Sequence, residues 1–217
     1  MTRSLAAQLK ADILDGGPGR DTRLKLFELR DRYETTQGKV REALLQLASE
    51  GLISYEPKRG FALLPLSVAD LKEVTKLRIE LECEALRESI KLGGDAWESG
   101  IVSNLYLLKK TEQRSSKNSR QLNSQWSERH RNFHRALLSA CSSVWRLKFC
   151  EQLSDHAERY RRLSIAVRNH QRDIYAEHQA IADAAVARNA GLACRLLAQH
   201  FTLTADTVSE ALARSAE

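Results

Sequence analysis

The chain has 217 residues, 42% of them hydrophobic, and only 3 prolines, so it can build a sizeable core and is not a disordered chain. Its net charge of +6 permits a nucleic-acid partner without requiring one, and since residues 1–66 hold 11 Lys+Arg against 9 Asp+Glu, local placement must carry that case. No apolar run approaches the ~20 residues needed to span a bilayer, and the four cysteines, without a C-x-x-C spacing, read as thiols of a reducing cytosol, so a cytoplasmic protein with no membrane partner is expected. Met1-Thr2-Arg3-Ser4 leads into an amphipathic stretch with acidic residues, which is not the pattern of a signal peptide. Leu5, Ala6, Leu9, Ile13 and Leu14 predict a first helix, broken near Gly16-Gly17-Pro18-Gly19. A short extended piece over Leu24 to Leu26 and a second helix over Phe27 to Tyr33 follow.

The next stretch organises the first domain. Val40, Ala43, Leu44 and Leu47 fall at helical spacing and face a small core. Thr35 or Thr36 is the N-cap and Gly51 the stop. Gln37, Lys39 and Arg41 crowd the first turn, where long polar side chains can reach a groove. Lys39 opposes the helix dipole in isolation, and a bound phosphate reverses that sign. This is the pattern of a DNA recognition helix. Leu52-Ile53-Ser54-Tyr55, Glu56-Pro57-Lys58-Arg59-Gly60 and Phe61-Ala62-Leu63-Leu64 then read as strand, turn and strand, with two cations at the tip. Three helices and a basic hairpin describe a winged helix-turn-helix over residues 1–66. Arg41 can pair with guanine and Gln37 with adenine, while Thr36, Lys39, Lys58, Arg59 and Gly60 approach the backbone or minor groove.

Residues 67–217 read as one all-helical domain. Ser67 can cap a long helix whose buried stripe is Leu71, Val74, Leu77, Leu81 and Ala85, ended by Gly93-Gly94. Asp95 caps a helix to about Lys110, and residues 111–120 form an exposed polar connection. Helices follow over about Leu122 to Cys141 and Val144 to Ile165. After a break near Asn169-His170, two more run over Asp173 to Arg188 and Ala190 to Leu212.

Four histidines on these helices can do chemistry. His130 and His134 lie four apart, on one helical face, and His178 and His200 lie on later helices. Three converging helices can gather four imidazoles, which suit Zn, Ni, Cu or Fe(II), Zn being the default. On spacing alone, satisfied core or surface histidines are the more ordinary reading, and His156 and His170 read as exposed. A metal-dependent hydrolase is disfavoured: Arg131 follows His130 where a zincin carries its Glu base, and no Ser-His-Asp set or phosphate loop appears, so no enzyme is expected.

Val40-Arg41-Glu42-Ala43-Leu44, Leu47, Glu50-Gly51-Leu52-Ile53 and Arg59-Gly60-Phe61, in that order, resemble the signature of the GntR family of bacterial transcription regulators. Lys39 stands where the family often has Pro, and Gln37 where it often has Arg, so the operator is not carried across. The helical domain resembles the FCD effector domain of the FadR-type branch, which holds a divalent metal with Asp-x-x-x-His and two later histidines. Phe133-His134, Glu177-His178 and Gln199-His200-Phe201 match that pattern. His130 replaces the Asp, which favours Zn, Ni or Cu over Mn or Mg. Gly93-Gly94-Asp95-Ala96-Trp97-Glu98 with His-x-x-Phe-His is similar to the carbon-starvation-induced regulator subgroup, whose ligands are short dicarboxylates linked to glutarate. The resemblance implies a repressor that binds a palindromic operator as a homodimer and answers to a small carboxylate, with Arg78, Tyr160 and Arg161 as candidate effector-binding cations and donors. A DNA-binding regulator whose metal is structural, or absent, is the alternative.

Overall fold

Thr36 begins the helix on which the first unit is built: its backbone is extended and its hydroxyl accepts the Lys39 amide at 3.3 Å. That helix, α3 (Gln37–Ser49), ends where Gly51 takes φ 74°. The Leu52 amide then donates to the Leu47 carbonyl and the Gly51 amide to that of Ala48, each at 3.0 Å. This is a Schellman closure, which a residue without Cβ enters at no steric cost. It turns Leu52 back beside Leu47, and both are buried. Before α3 come α1 (Leu5–Leu14), β1 (Arg23–Leu24) and α2 (Leu26–Arg32); after it come β2 (Ile53–Glu56) and β3 (Gly60–Leu63). The three strands form an antiparallel sheet in the order β1-β3-β2, with Phe61 opposite both Leu24 and Tyr55. Leu9, Leu29, Val40, Leu44, Leu47, Leu52 and Phe61 form one buried core.

The structure, a computed structural model, describes residues 4–14, 23–114, 122–166 and 172–214. The breaks expected at Gly16–Gly19 and Asn169–His170, and most of the 111–120 connection, lie outside them. The chain divides into Met1–Ser67 and Val68–Glu217. No helix among the described residues is long and apolar enough to cross a membrane.

The second unit contains α4 (Val68–Leu92), α5 (Asp95–Lys109), α6 (Ser124–Leu138), α7 (Val144–Ala166), α8 (Ile174–Val186) and α9 (Ala190–Arg214). α4 packs on α7 and α9, α5 on α6 and α8, and α8 on α9. Leu86, Ile101, Leu108, Trp126, Phe133, Leu137, Ile181 and Leu197 lie in its core. All four cysteines are free and buried.

Several expectations need correction. Gly94, not Asp95, is the N-cap of α5; it has extended backbone and its carbonyl accepts from Trp97 and Glu98, which places Asp95 inside the first turn. Its carboxylate there still favours the positive end of the helix. Of the α4 stripe, Leu71, Val74 and Ala85 are buried and Leu81 packs against the core, but Leu77 is 39% exposed, and the polar Glu82 and Ser89 are buried instead. Thr111 is buried rather than part of an exposed connection: its hydroxyl donates to the Leu107 carbonyl and receives Arg129. Leu122 pairs with Arg114 instead of opening α6, which Asn123 caps by accepting the Gln125 amide at 2.9 Å. His156 is half-buried, and His170 lies outside the described residues.

Arg188 ties distant parts of this unit together. It stands at φ 58°, where most non-glycine residues are strained, because the Asn189 amide reaches back to the Ala184 carbonyl at 2.9 Å and closes α8. Its guanidinium donates to the carbonyls of Ile90 and Gly93, both at 2.7 Å, so a residue almost a hundred positions away satisfies the open end of α4.

Candidate metal centre and nucleic-acid interface

The i, i+4 spacing on α6 sets His130 and His134 side by side, with their Nε2 atoms 3.2 Å apart. α8 brings His178 and α9 brings His200, so that one ring nitrogen from each of the four lies within 4.8 Å of the others. All four side chains are buried. Burial, ahead of the neighbouring arginines and the other imidazoles, pushes the pKa of each below its ordinary 6.5, and the rings are neutral. A neutral imidazole has one donor and one acceptor nitrogen. Yet Nδ1 of His134 and Nε2 of His178 are buried without a hydrogen-bond partner. Each such orphan costs about 1–3 kcal/mol. Neutral, converging, under-satisfied imidazole nitrogens are the donor set that a divalent transition metal takes, so these residues fit such an ion.

The surroundings orient this set. Trp126 stacks on His130 with ring centroids 4.8 Å apart, and Phe133 and Phe201 pack against His134. Nδ1 of His200 meets a Glu177 carboxylate oxygen, and Arg172 clamps both Glu177 oxygens at 2.6 Å while donating to the His200 carbonyl and Thr204. Burial alone would raise Glu177; the hydrogen bonds from Arg172 and His200 outweigh it and bring the carboxyl down to about 2. Sequence reasoning missed Glu177 and Arg172, since nothing local marks a carboxylate as the partner of a histidine 23 positions away.

Two cavities border the cluster. One of about 40 Å³ is lined by His130 and His200 together with Arg78, Tyr160 and Arg161. The other, of about 190 Å³, is lined by His134 with Leu138, Leu147 and Cys150. The three residues expected to bind effector therefore share the smaller one. Arg78 bonds Glu82 at 2.7 Å and lies 3.9 Å from the centre of the Phe201 ring. Tyr160 and Arg161 are buried on α7; Tyr160 donates to Asp70, and Arg161 pairs with Glu158 and lies over Trp126. Arg131, noted in the sequence only as the residue that is not a zincin Glu, lines both cavities.

In the first unit, Thr36, Gln37, Lys39 and Arg41 are exposed along the start of α3, and Lys58 and Arg59 at the hairpin tip. Arg41 donates to the Tyr55 hydroxyl at 3.1 Å and rests over that ring, which steers a long side chain that would otherwise be mobile. Arg59 pairs with Glu56 at 3.4 Å across the turn, and both are well exposed. Gly60 takes φ 81°, which lets the tip close. The Thr36 hydroxyl is engaged in its cap.

Comparison with known proteins bears on both units. The family described as bacterial regulatory proteins, gntR family, matches residues 1–63, and the FCD domain matches residues 73–203. The chain is 38% identical over 203 residues to the uncharacterized HTH-type transcriptional regulator BphR of Paraburkholderia xenovorans, covering 94% of this chain and 83% of that one. It is 31% identical over 209 residues to the HTH-type transcriptional repressor GlaR of Escherichia coli, covering 94% of each. Among solved structures, E. coli McbR/YncC superposes with a TM-score of 0.80 at 20% identity, over 97% of this chain and 99% of that one, a likeness of fold.

Proposed function

Because the chain belongs to the GntR family of bacterial transcription regulators, with an FCD domain in its second unit, we propose that it is a metal-dependent, metabolite-responsive repressor. It works in the cytoplasm as a homodimer on a palindromic operator. One winged domain has too few contacts for tight binding, and a two-fold dimer reads two half-sites at once. Gln37 and Arg41 read base edges, with Arg41 aimed by Tyr55; Lys39, Lys58 and Arg59 hold phosphates or the minor groove. The name of GlaR, a repressor at 31% identity, supports the sign of the response.

His130, His134, His178 and His200 would hold the metal, with zinc first and nickel next by ligand type. A bound ion supplies a Lewis-acid anchor for one carboxylate group. Glu177 keeps the proton of His200 on Nδ1, which leaves Nε2 free to ligate, and Arg172 holds Glu177 ionised. Arg78, Tyr160 and Arg161 line the adjoining space where a small carboxylate effector is held, short dicarboxylates such as glutarate being the first to assay. Effector changes DNA affinity by favouring one arrangement of the dimer's winged domains.

The observation that carries this reading is four buried, neutral imidazoles converging within 4.8 Å beside a cavity. The test is metal analysis of the purified full chain, then thermal-shift screening with carboxylates, then gel-shift with DNA from its own promoter region. The expected result is about one metal per chain, a carboxylate that raises the melting temperature only with metal present, and release of DNA by that compound. A metal-free protein indifferent to every carboxylate would defeat the reading.

A further inference from the structure

The two cavities beside the histidines are unlike in size and lining, and they adjoin at Arg131 and Ser154, which border both. The smaller, at about 40 Å³, has room for about three waters or one carboxylate group. The body of any effector must therefore enter the larger, at about 190 Å³. That lobe is walled by Leu138, Leu147 and Cys150, and burial pushes the Cys150 thiol up to about 12, as expected of an apolar surrounding.

Charge around the lobes is mostly committed. Arg78 is paired with Glu82, Arg161 with Glu158, and Arg135 with Glu151. Arg131 is half-buried and, among the described residues, has no ion pair or hydrogen bond. It is the cation at the junction with donors to offer. Beyond it the larger lobe is bordered by Glu82, Glu151 and Asp155. Arg135 also lines it but is already engaged by Glu151, so a second carboxylate placed there would meet a lining with more acidic than basic side chains and no uncommitted cation in return.

Taking the site as a carboxylate receptor, as above, we infer that its effector is a monocarboxylate with a compact apolar body, its one carboxylate held between the histidine site and Arg131 at the junction and its body in the lobe of Leu138, Leu147 and Cys150. Arg131 thereby selects the anionic end, and the acidic border of the larger lobe rejects a second one.

The test is calorimetric titration of the metal-loaded full chain with benzoate, isovalerate, glutarate and acetate. Benzoate or isovalerate should bind at least about tenfold more tightly than glutarate. Arg131→Gln should weaken acetate and the apolar acids alike by about tenfold or more, with partial recovery in Arg131→Lys. Leu147→Phe, which fills the lobe, should weaken benzoate while leaving acetate unchanged. Glutarate binding as tightly as the apolar acids overturns the inference and leaves the carboxylate-receptor reading standing, and this comparison needs no variant. Unchanged affinity in Arg131→Gln overturns the role of Arg131. Failure of all four acids, acetate included, would defeat the receptor reading itself.

Discussion

Nδ1 of His200 lies 2.7 Å from Oε2 of Glu177, and the chemistry of the pair decides where the proton sits. An ionised carboxylate can only accept, so Nδ1–H donates and Nε2 keeps its lone pair. Glu177 immediately precedes His178, so α8 delivers one imidazole of the cluster and the group that orients another. Glu177→Ala should weaken zinc binding by about 10–100-fold, and Glu177→Gln by less, because an amide oxygen still accepts from Nδ1–H. Competition against a chromogenic chelator measures this. Equal affinity in all three proteins would remove the orienting role.

Metal removal should loosen the helical unit. An ion that binds only the folded chain stabilises it by about 2.7 kcal/mol at a free concentration one hundred times its dissociation constant. Stripping with a chelator should lower the melting temperature, and added zinc should restore it. In His178→Ala zinc should produce a much smaller shift, and a shift as large as in the parent chain would place the ion elsewhere.

On the DNA side, Arg41→Ala should cost about 1–3 kcal/mol in operator binding and relax discrimination at one base pair. Tyr55→Phe removes only the hydroxyl that receives Arg41 and should reproduce a fraction of that loss. Lys58→Ala should weaken all sequences alike and lower the salt slope by about one. Gel-shift titrations at several salt concentrations separate these behaviours. A Lys58→Ala slope equal to that of the parent chain would assign that lysine to solvent.

Gly51→Ala should destabilise the first unit by about 1–2 kcal/mol, because φ 74° is left-handed and the substitution adds a Cβ. The loss should appear in hydrogen exchange as reduced protection of Val40, Leu44 and Leu47. Undiminished protection would mean that the closure of α3 tolerates a side chain.

Glu88 provides an acid-sensitive tie in the helical unit. Hydrogen bonds from Ser142, then from Cys141 and the Ser142 amide, outweigh burial and hold its carboxyl at about 2, below its ordinary 4.5. It also bonds Arg146 at 2.7 Å and so fastens the turn between α6 and α7 to α4. A folded-state pKa below the unfolded one means the unfolded chain binds more protons, so stability rises with pH. The contribution is fully present above about 4.5 and fades as pH falls toward 2. Glu88→Gln should therefore melt lower than the parent at pH 7, with the gap closing in acid. A gap independent of pH would show that the carboxylate charge is not what matters.

Much of this protein is written in local order. The repeat of Val40, Ala43, Leu44 and Leu47, the Thr36 cap and the Gly51 stop define α3 because helix periodicity, capping and left-handed closure act over a few residues. The family follows from the same kind of short ordered motif. Pairing on one helix was legible too, since His130 and His134 are neighbours whatever surrounds them. Tertiary structure decided the rest. It put His178 and His200 beside that pair, placed Glu177 against His200 and Arg188 under α4, and exposed Leu77 while burying Glu82. Such contacts join positions tens of residues apart and depend on how helices cross, which periodicity along one helix does not encode. Whether a charge is a solvated surface group or, like Arg131, borders an interior cavity is decided only when the helices pack.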